Sequence, residues 1–182
     1  MNKIDDRVHI GHAHLKVSDL ERSVAFYRDI LGFEVMDRFG DQAAFLSAGG
    51  YHHHLGLNTW ESKDGTRPAR GTTGLYHVAI LYPDRKQLAD ALMRLIENEW
   101  PITGASDHGV SEAIYLDDPD GNGLELYRDR PRSEWPRNPD GSLGMYNHPF
   151  ELEDLLTELG TDNLKERWAK VEARKASEAE QP

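Results

Sequence analysis

Nine histidines, 32 acidic residues and no cysteine set the terms for any chemistry this 182-residue chain can do. Without thiols there is neither a disulfide framework nor a thiolate zinc site, so a metal would have to be held by imidazole and carboxylate. His12 and His14 fall on one face of a strand predicted over residues 9–17, HIGHAHLKV, because strand side chains alternate with period two. His77 opens another predicted strand in GLYHVAILYPD and shares its face with Ala79 and Leu81. Glu125 lies in a third, Leu124–Tyr127, where Leu124 and Leu126 point the opposite way, toward a core. If these strands line one cup, His12, His77 and Glu125 converge there. Two imidazoles and one carboxylate, with positions left open, suit Fe(II), or Mn(II) or Zn(II) with exchangeable water. The pattern alone leaves plainer readings beside this one: a strand histidine is commonly structural or solvent-facing, and Glu125 could be an ordinary edge-strand charge.

The elements that must position these residues come in two similar sets. After the first strand, SDLERSVAFYRDILGF reads as an amphipathic helix, with Ser18 as its cap, Glu21 at the capping-box position, and Leu20, Val24, Tyr27 and Leu31 along one stripe. Gly32 supplies its stop. FEVMDRFG, QAAFLSAGG and YHHHLGLNTW follow as three short strands, and ESKDGTRPARGTT reads as a linker. The order then repeats: the His77 strand, the helix KQLADALMRLIENEW, and strands at 100–103, 113–116 and 124–127. A shift of 65 residues sets His12 on His77 and HAHLKVSDL on HVAILYPDR. The simplest account is an α+β fold of two βαβββ modules, about 8–60 and 74–128, forming one domain over 1–130. Residues 131–182 make an extended Pro- and Arg-rich segment and two helices, HPFELEDLLTELG and NLKERWAKVEARKASEAE, with the last ten or so residues expected to fray.

Composition narrows the partners. With 21 basic against 32 acidic residues the net charge is −11, which repels phosphate backbones and anionic membrane surfaces and favours a small molecule. The opening MNKIDDRVHIGH carries no apolar signal region and no stretch approaches the roughly 20 apolar residues of a membrane span, so a soluble cytoplasmic protein is expected.

HLKVSDLERSVAFYRDILGF, YHVAILYPD and DPDGNGLELY closely resemble the vicinal-oxygen-chelate superfamily of glyoxalases, bleomycin- and fosfomycin-resistance proteins and extradiol dioxygenases, over about residues 8–130. The resemblance implies that the first metal ligand lies five residues before Val17, which selects His12 over His14. It likewise implies His77 as the second ligand and Glu125 as the carboxylate. In the turn between, Asp118 and Asp120 favour tight bending, and Gly121 and Gly123 supply permissive backbone. Glyoxalases often carry a fourth ligand where this chain has Gly56, in LGLN, so a three-ligand site open to substrate is implied.

The extradiol dioxygenases are matched further, in HGVSEAIYLDDPDGNGLE: His108, five residues, the pair Ile114-Tyr115, then Asp118-Pro119 and Glu125. Ser106 departs from the residues usual two places before that histidine. A His-His pair precedes the fourth strand of the first module, and the resemblance places His53 beside the metal as an acid-base group, with His54 in its place if the register slips. Tyr115 would then hydrogen-bond a substrate oxygen and His108 would line the pocket. The implied activity is Fe(II)-dependent ring cleavage of a catechol-type aromatic by dioxygen, as in aromatic catabolism, in a homo-oligomer. A glyoxalase-like lyase, isomerase or epimerase is the alternative, needing no His108-Tyr115 pair, and a non-catalytic small-molecule-binding protein is the third reading.

Overall fold

The computed structural model describes residues 3–69 and 71–179. Part of the expected fraying tail, residues 180–182, lies outside the described residues. The chain divides into two compact units, one of Met1–Gly74 with Asp118–Asn122, the other of Leu75–Asp117 with Gly123–Pro182. Among the described residues no helix is long and apolar enough to cross a membrane.

The first unit holds β1 (Ala13–Lys16), α1 (Leu20–Ala25, continued by a π turn over Phe26–Ile30), β2 (Glu34–Phe39), β3 (Ala43–Ser47) and β4 (Leu55–Asn58). Its sheet runs β1-β4-β3-β2, with β1 and β4 parallel and the other neighbours antiparallel. The second unit repeats this as β5 (Val78–Tyr82), α2 (Arg85–Glu97), β6 (Ile102–Asp107), β7 (Ser111–Asp117) and β8 (Gly123–Asp129), in the order β5-β8-β7-β6. Two βαβββ sets are therefore present. β1 is shorter than the predicted strand, and both His12 and His77 stand just before the first residue of their strands.

Each sheet buries one face under its helix. In the first unit Leu15, Val17, Leu20, Val24, Leu46, Leu55 and Leu57 are buried; in the second, Leu88, Leu92, Leu95, Ile114, Leu116, Leu124 and Leu126. That side also carries charge: Glu112, beside Ile114, accepts from Arg128 on the facing strand and from Arg85 and Arg130, at 2.9–3.0 Å. Arg85 also reaches Asp154 and Glu158, tying α3 (Leu152–Leu156) and the turn after it to the start of α2. Arg167 of α4 (Thr161–Ala179) bonds Asp90 and Glu97 on the flank of α2. Both predicted C-terminal helices thus pack within the second unit.

The cap of α1 differs from the sequence expectation. Asp19, not Ser18, is the N-cap residue, its carboxylate accepting from Arg22 N at 3.0 Å, and Glu21 pairs with Arg38 instead of closing a capping box. Ser18 is engaged elsewhere: its amide and hydroxyl both donate to Asp120, at 3.1 and 2.5 Å. Ser23 and Arg22 donate to the same carboxylate. Beside it the buried Tyr27 hydroxyl donates to Asp118, which also accepts the amides of Asp120 and Asn122. A charged acceptor outcompetes a helix end for Ser18, because hydrogen bonds to an ionised group are about twice as strong as neutral ones.

Burial opposes ionisation of Asp120, but the hydrogen bonds from Ser18 and Ser23 and the charge of Arg22 outweigh it and hold the carboxyl below its ordinary value. A pKa depressed by folding contributes stability that is complete above the unfolded value of about 3.9 and is lost as pH falls toward the lower folded value. Asp120→Ala is therefore expected to reduce unfolding free energy by about 2–3 kcal/mol at neutral pH. Urea titrations at several pH values should find the gap to wild type narrowing below about pH 4; a gap independent of pH would exclude the charged contacts as its source.

Candidate metal and proton-handling site

β8 sets the geometry of the second unit's site. Leu124 and Leu126 are buried, so Glu125 between them faces the other way. A one-residue slip would turn both leucines to solvent, at a cost of about 1.5–3 kcal/mol each, and bury the carboxylate. Glu125 pairs in register with Ala79 of β5 and Tyr115 of β7, which brings side chains from both neighbouring strands to it.

His77 meets Glu125 at the open end of β5, with Nε2 3.0 Å from Oε2. Such a spacing fits two donors on adjacent positions about 2.1 Å from one divalent ion. The ring's Nδ1 is buried with no hydrogen-bond partner among the described residues. Close backbone approach places this histidine instead. A Cβ on Gly123 would stand 2.2 Å from the Tyr76 carbonyl oxygen and 3.3 Å from the His77 Cβ. The two glycines of the turn thus have different reasons: Gly121 has a positive φ of 82°, whereas Gly123 makes room for the His77 backbone.

The other oxygen of Glu125 continues the row. Tyr115 donates its hydroxyl to Oε1 at 3.0 Å, and His108 Nε2 lies 2.7 Å from that hydroxyl. Burial, and then the Glu125 carboxylate, push the Tyr115 hydroxyl well above its ordinary pKa, so it stays protonated. His108 stands just beyond β6, in the turn to β7, and its Nδ1 lies 3.2 Å from the Tyr146 carbonyl oxygen. The structure therefore brings His77, Glu125, Tyr115 and His108 into one connected row.

In the first unit His12 and His53 are neighbours, with ring centroids 4.3 Å apart. His53 also meets Phe45, and its Nδ1 is 2.8 Å from that of His52. Burial first, and then repulsion from His12 and His52, lower its proton affinity. His54 is engaged differently: Ala48 N donates to its Nδ1, with Ser47 Oγ 3.0 Å from the same atom, so it serves the strand end. His14 packs on Phe45 and Trp60 and lies across Gly56, where a Cβ would come within 2.9 Å of its ring. Among the described residues no group of three or more His, Asp or Glu side chains is arranged to hold a metal ion. What stands assembled is the His77–Glu125 pair in one unit and the His12–His53 pair in the other.

Two contributors escaped the sequence reading. Glu112 left a signal, a charge on the same strand face as Ile114 and Leu116, which calls for buried partners. The Tyr146 carbonyl left none, because a main-chain acceptor has no residue type to mark it.

The family model described as the Glyoxalase/Bleomycin resistance protein/Dioxygenase superfamily matches residues 9–126. Catechol-2,3-dioxygenase of Bacillus subtilis (strain 168) is 48% identical over 162 residues, which cover 89% of this chain and 56% of that protein. The manganese-dependent 2,3-dihydroxybiphenyl 1,2-dioxygenase of Geobacillus genomosp. 3 is 33% identical over 135 residues, 72% of this chain and 39% of that one. The chain thus spans about half the length of these curated relatives. A glyoxylase/bleomycin resistance protein/dioxygenase domain from Frankia sp. EAN1pec aligns with a TM-score of 0.57 at 22% identity, over 68% of this chain and 98% of that one, a likeness of fold.

Two substitutions probe the local packing. Gly123→Ala should displace the Tyr76–His77 backbone, cost about 1–3 kcal/mol in urea unfolding, and weaken divalent-metal binding about tenfold or more in competitive titrations. Gly56→Ala should cost about 1 kcal/mol, and that cost should vanish in a His14→Ala background; persistence there would place the conflict somewhere other than the His14 ring.

Proposed function

Because the chain belongs to the glyoxalase/bleomycin resistance protein/dioxygenase superfamily, we propose that it is an Fe(II)-dependent extradiol dioxygenase opening a catechol-type ring. His12, His77 and Glu125 are the proposed metal ligands. The observation that carries the reading is the connected row in the second unit, where a His-carboxylate pair suited to a divalent ion touches a tyrosine-histidine pair suited to handling protons. A lyase or isomerase of the same fold would need only the first of these pairs. The 48% identity to a catechol-2,3-dioxygenase supports the same choice.

When bound, such an ion supplies adjacent open positions for two substrate oxygens and dioxygen, and a path for electrons between them. The chain's own groups do the rest. Gly56, with no side chain and the His14 ring across the space a Cβ would need, adds no fourth ligand. Tyr115, kept protonated, is the donor to a substrate oxygen, and His108 on its far side orients that hydroxyl. His53, neighbour of His12, takes a proton from the incoming catechol and returns it to the opened product.

Protein loaded anaerobically with Fe(II), and in parallel with Mn(II), is expected to take up oxygen with a member of a catechol panel and form a yellow ring-opened semialdehyde or keto acid. No uptake at full metal content would refute the proposal. Glu125→Ala is expected to lose metal and activity together. His53→Ala should keep the metal and turn over about a hundredfold or more slowly; loss of metal in that variant would place His53 among the ligands.

A further inference from the structure

The segment beyond Asp129 does more than cover a sheet edge, and several of its contacts fall on the turn after β6, at Asp107, His108 and Gly109. Arg130 N donates to the Val110 carbonyl, and its guanidinium to Asp107 and Glu112. Farther along, Asp107 and His148 exchange both main-chain hydrogen bonds at 2.9 Å, as one rung of an antiparallel ladder. Tyr146 N donates to the His108 carbonyl at 3.3 Å. The Tyr146 ring lies over Gly109, so closely that a Cβ there would stand 2.6 Å from the ring and 2.8 Å from Pro136.

One of these contacts bears on chemistry. A carbonyl oxygen can only accept, so the 3.2 Å contact from His108 Nδ1 to the Tyr146 oxygen requires a hydrogen on Nδ1. A neutral His108 then has a bare lone pair at Nε2, 2.7 Å from the Tyr115 hydroxyl. That hydroxyl has one hydrogen and two acceptors, His108 Nε2 and Glu125 Oε1. With the opposite tautomer there would be no competition: Nε2–H would donate to the Tyr115 oxygen, and Tyr115 would donate to Glu125. The carbonyl of Tyr146 removes that relaxed arrangement.

We propose that Leu143–His148 is a positioning strap that, through the Tyr146 carbonyl, holds the His108 hydrogen on Nδ1 and leaves Nε2 as a second acceptor facing the Tyr115 hydroxyl. Nε2 thereby faces the Tyr115 hydroxyl as an acceptor that cannot donate to its oxygen, and the hydroxyl keeps its role as a donor, to Glu125 in the metal-free chain. The consequence for catalysis rests on the dioxygenase reading, whereas the tautomer is a property of the metal-free chain.

The test is long-range ¹H–¹⁵N correlation of histidine-labelled, metal-free full chain at about pH 8, above the ordinary histidine range. The His108 signals are assigned by their loss in His108→Gln. The expected pattern is a protonated Nδ1 and a bare Nε2. Gly109→Ala and Tyr146→Gly, each loosening the strap differently, are expected to move His108 toward the Nε2–H tautomer. An Nε2–H pattern in wild type overturns the proposal, as does an unchanged Nδ1–H pattern in a folded variant whose Tyr146–His108 contact is lost. Should both variants fail to fold, the wild-type spectrum decides alone. Nδ1–H in a protein that takes up no oxygen with catechols supports the strap and removes the dioxygenase reading; Nε2–H in an active enzyme does the reverse.

Discussion

The burial of Leu124 and Leu126 is the constraint on which the second unit's site depends. β8 lies inside its sheet, hydrogen-bonded to β5 on one side and β7 on the other, so its register fixes both neighbours. With two leucines committed to the core, Glu125 must face away from it, and His77 and Tyr115 arrive beside it from either strand. The apolar side of the strand supplies the energy, and the polar side receives the geometry without needing strong interactions of its own.

The turn between β7 and β8 puts its two aspartates to different uses. Asp118 organises the turn itself, accepting from Asp120 N, Asn122 N and the buried Tyr27 hydroxyl. Asp120 gathers Ser18, Arg22 and Ser23 at the start of α1. Burial raises the first carboxyl above its ordinary pKa, while hydrogen bonds and Arg22 depress the second. The difference follows first from burial: Asp118 is 1% exposed and its hydrogen bonds do not offset desolvation, whereas the half-buried Asp120 has Ser18, Ser23 and Arg22 to outweigh it. Gly123, at the end of the same turn, lets the His77 backbone approach closely.

The nine histidines divide by environment more than by position in sequence. His14 fills the space above Gly56, His54 accepts from a strand end, His53 leans on His12, and His108 is held between a main-chain carbonyl and a tyrosine hydroxyl. A ring nitrogen is a donor or an acceptor according to what faces it, so identical side chains acquire different protonation patterns.

By itself the sequence determined the two βαβββ sets, the strands that His12 and His77 immediately precede, the strand that carries Glu125, and the outward aim of Glu125, because period-two alternation and helical spacing are local properties that burial then enforces. It placed Tyr115 and His108 near the carboxylate through a motif whose spacing matches one hairpin. Only the tertiary structure decided that Asp19 caps α1 while Ser18 serves Asp120, since the competing acceptor lies about a hundred residues away in the chain. It alone set His53 beside His12 and His54 against Ser47 and Ala48, gave Gly123 its reason, and set Tyr146 against His108. Each of those depends on backbone atoms or on partners distant in sequence, and neither leaves a mark in residue type or spacing.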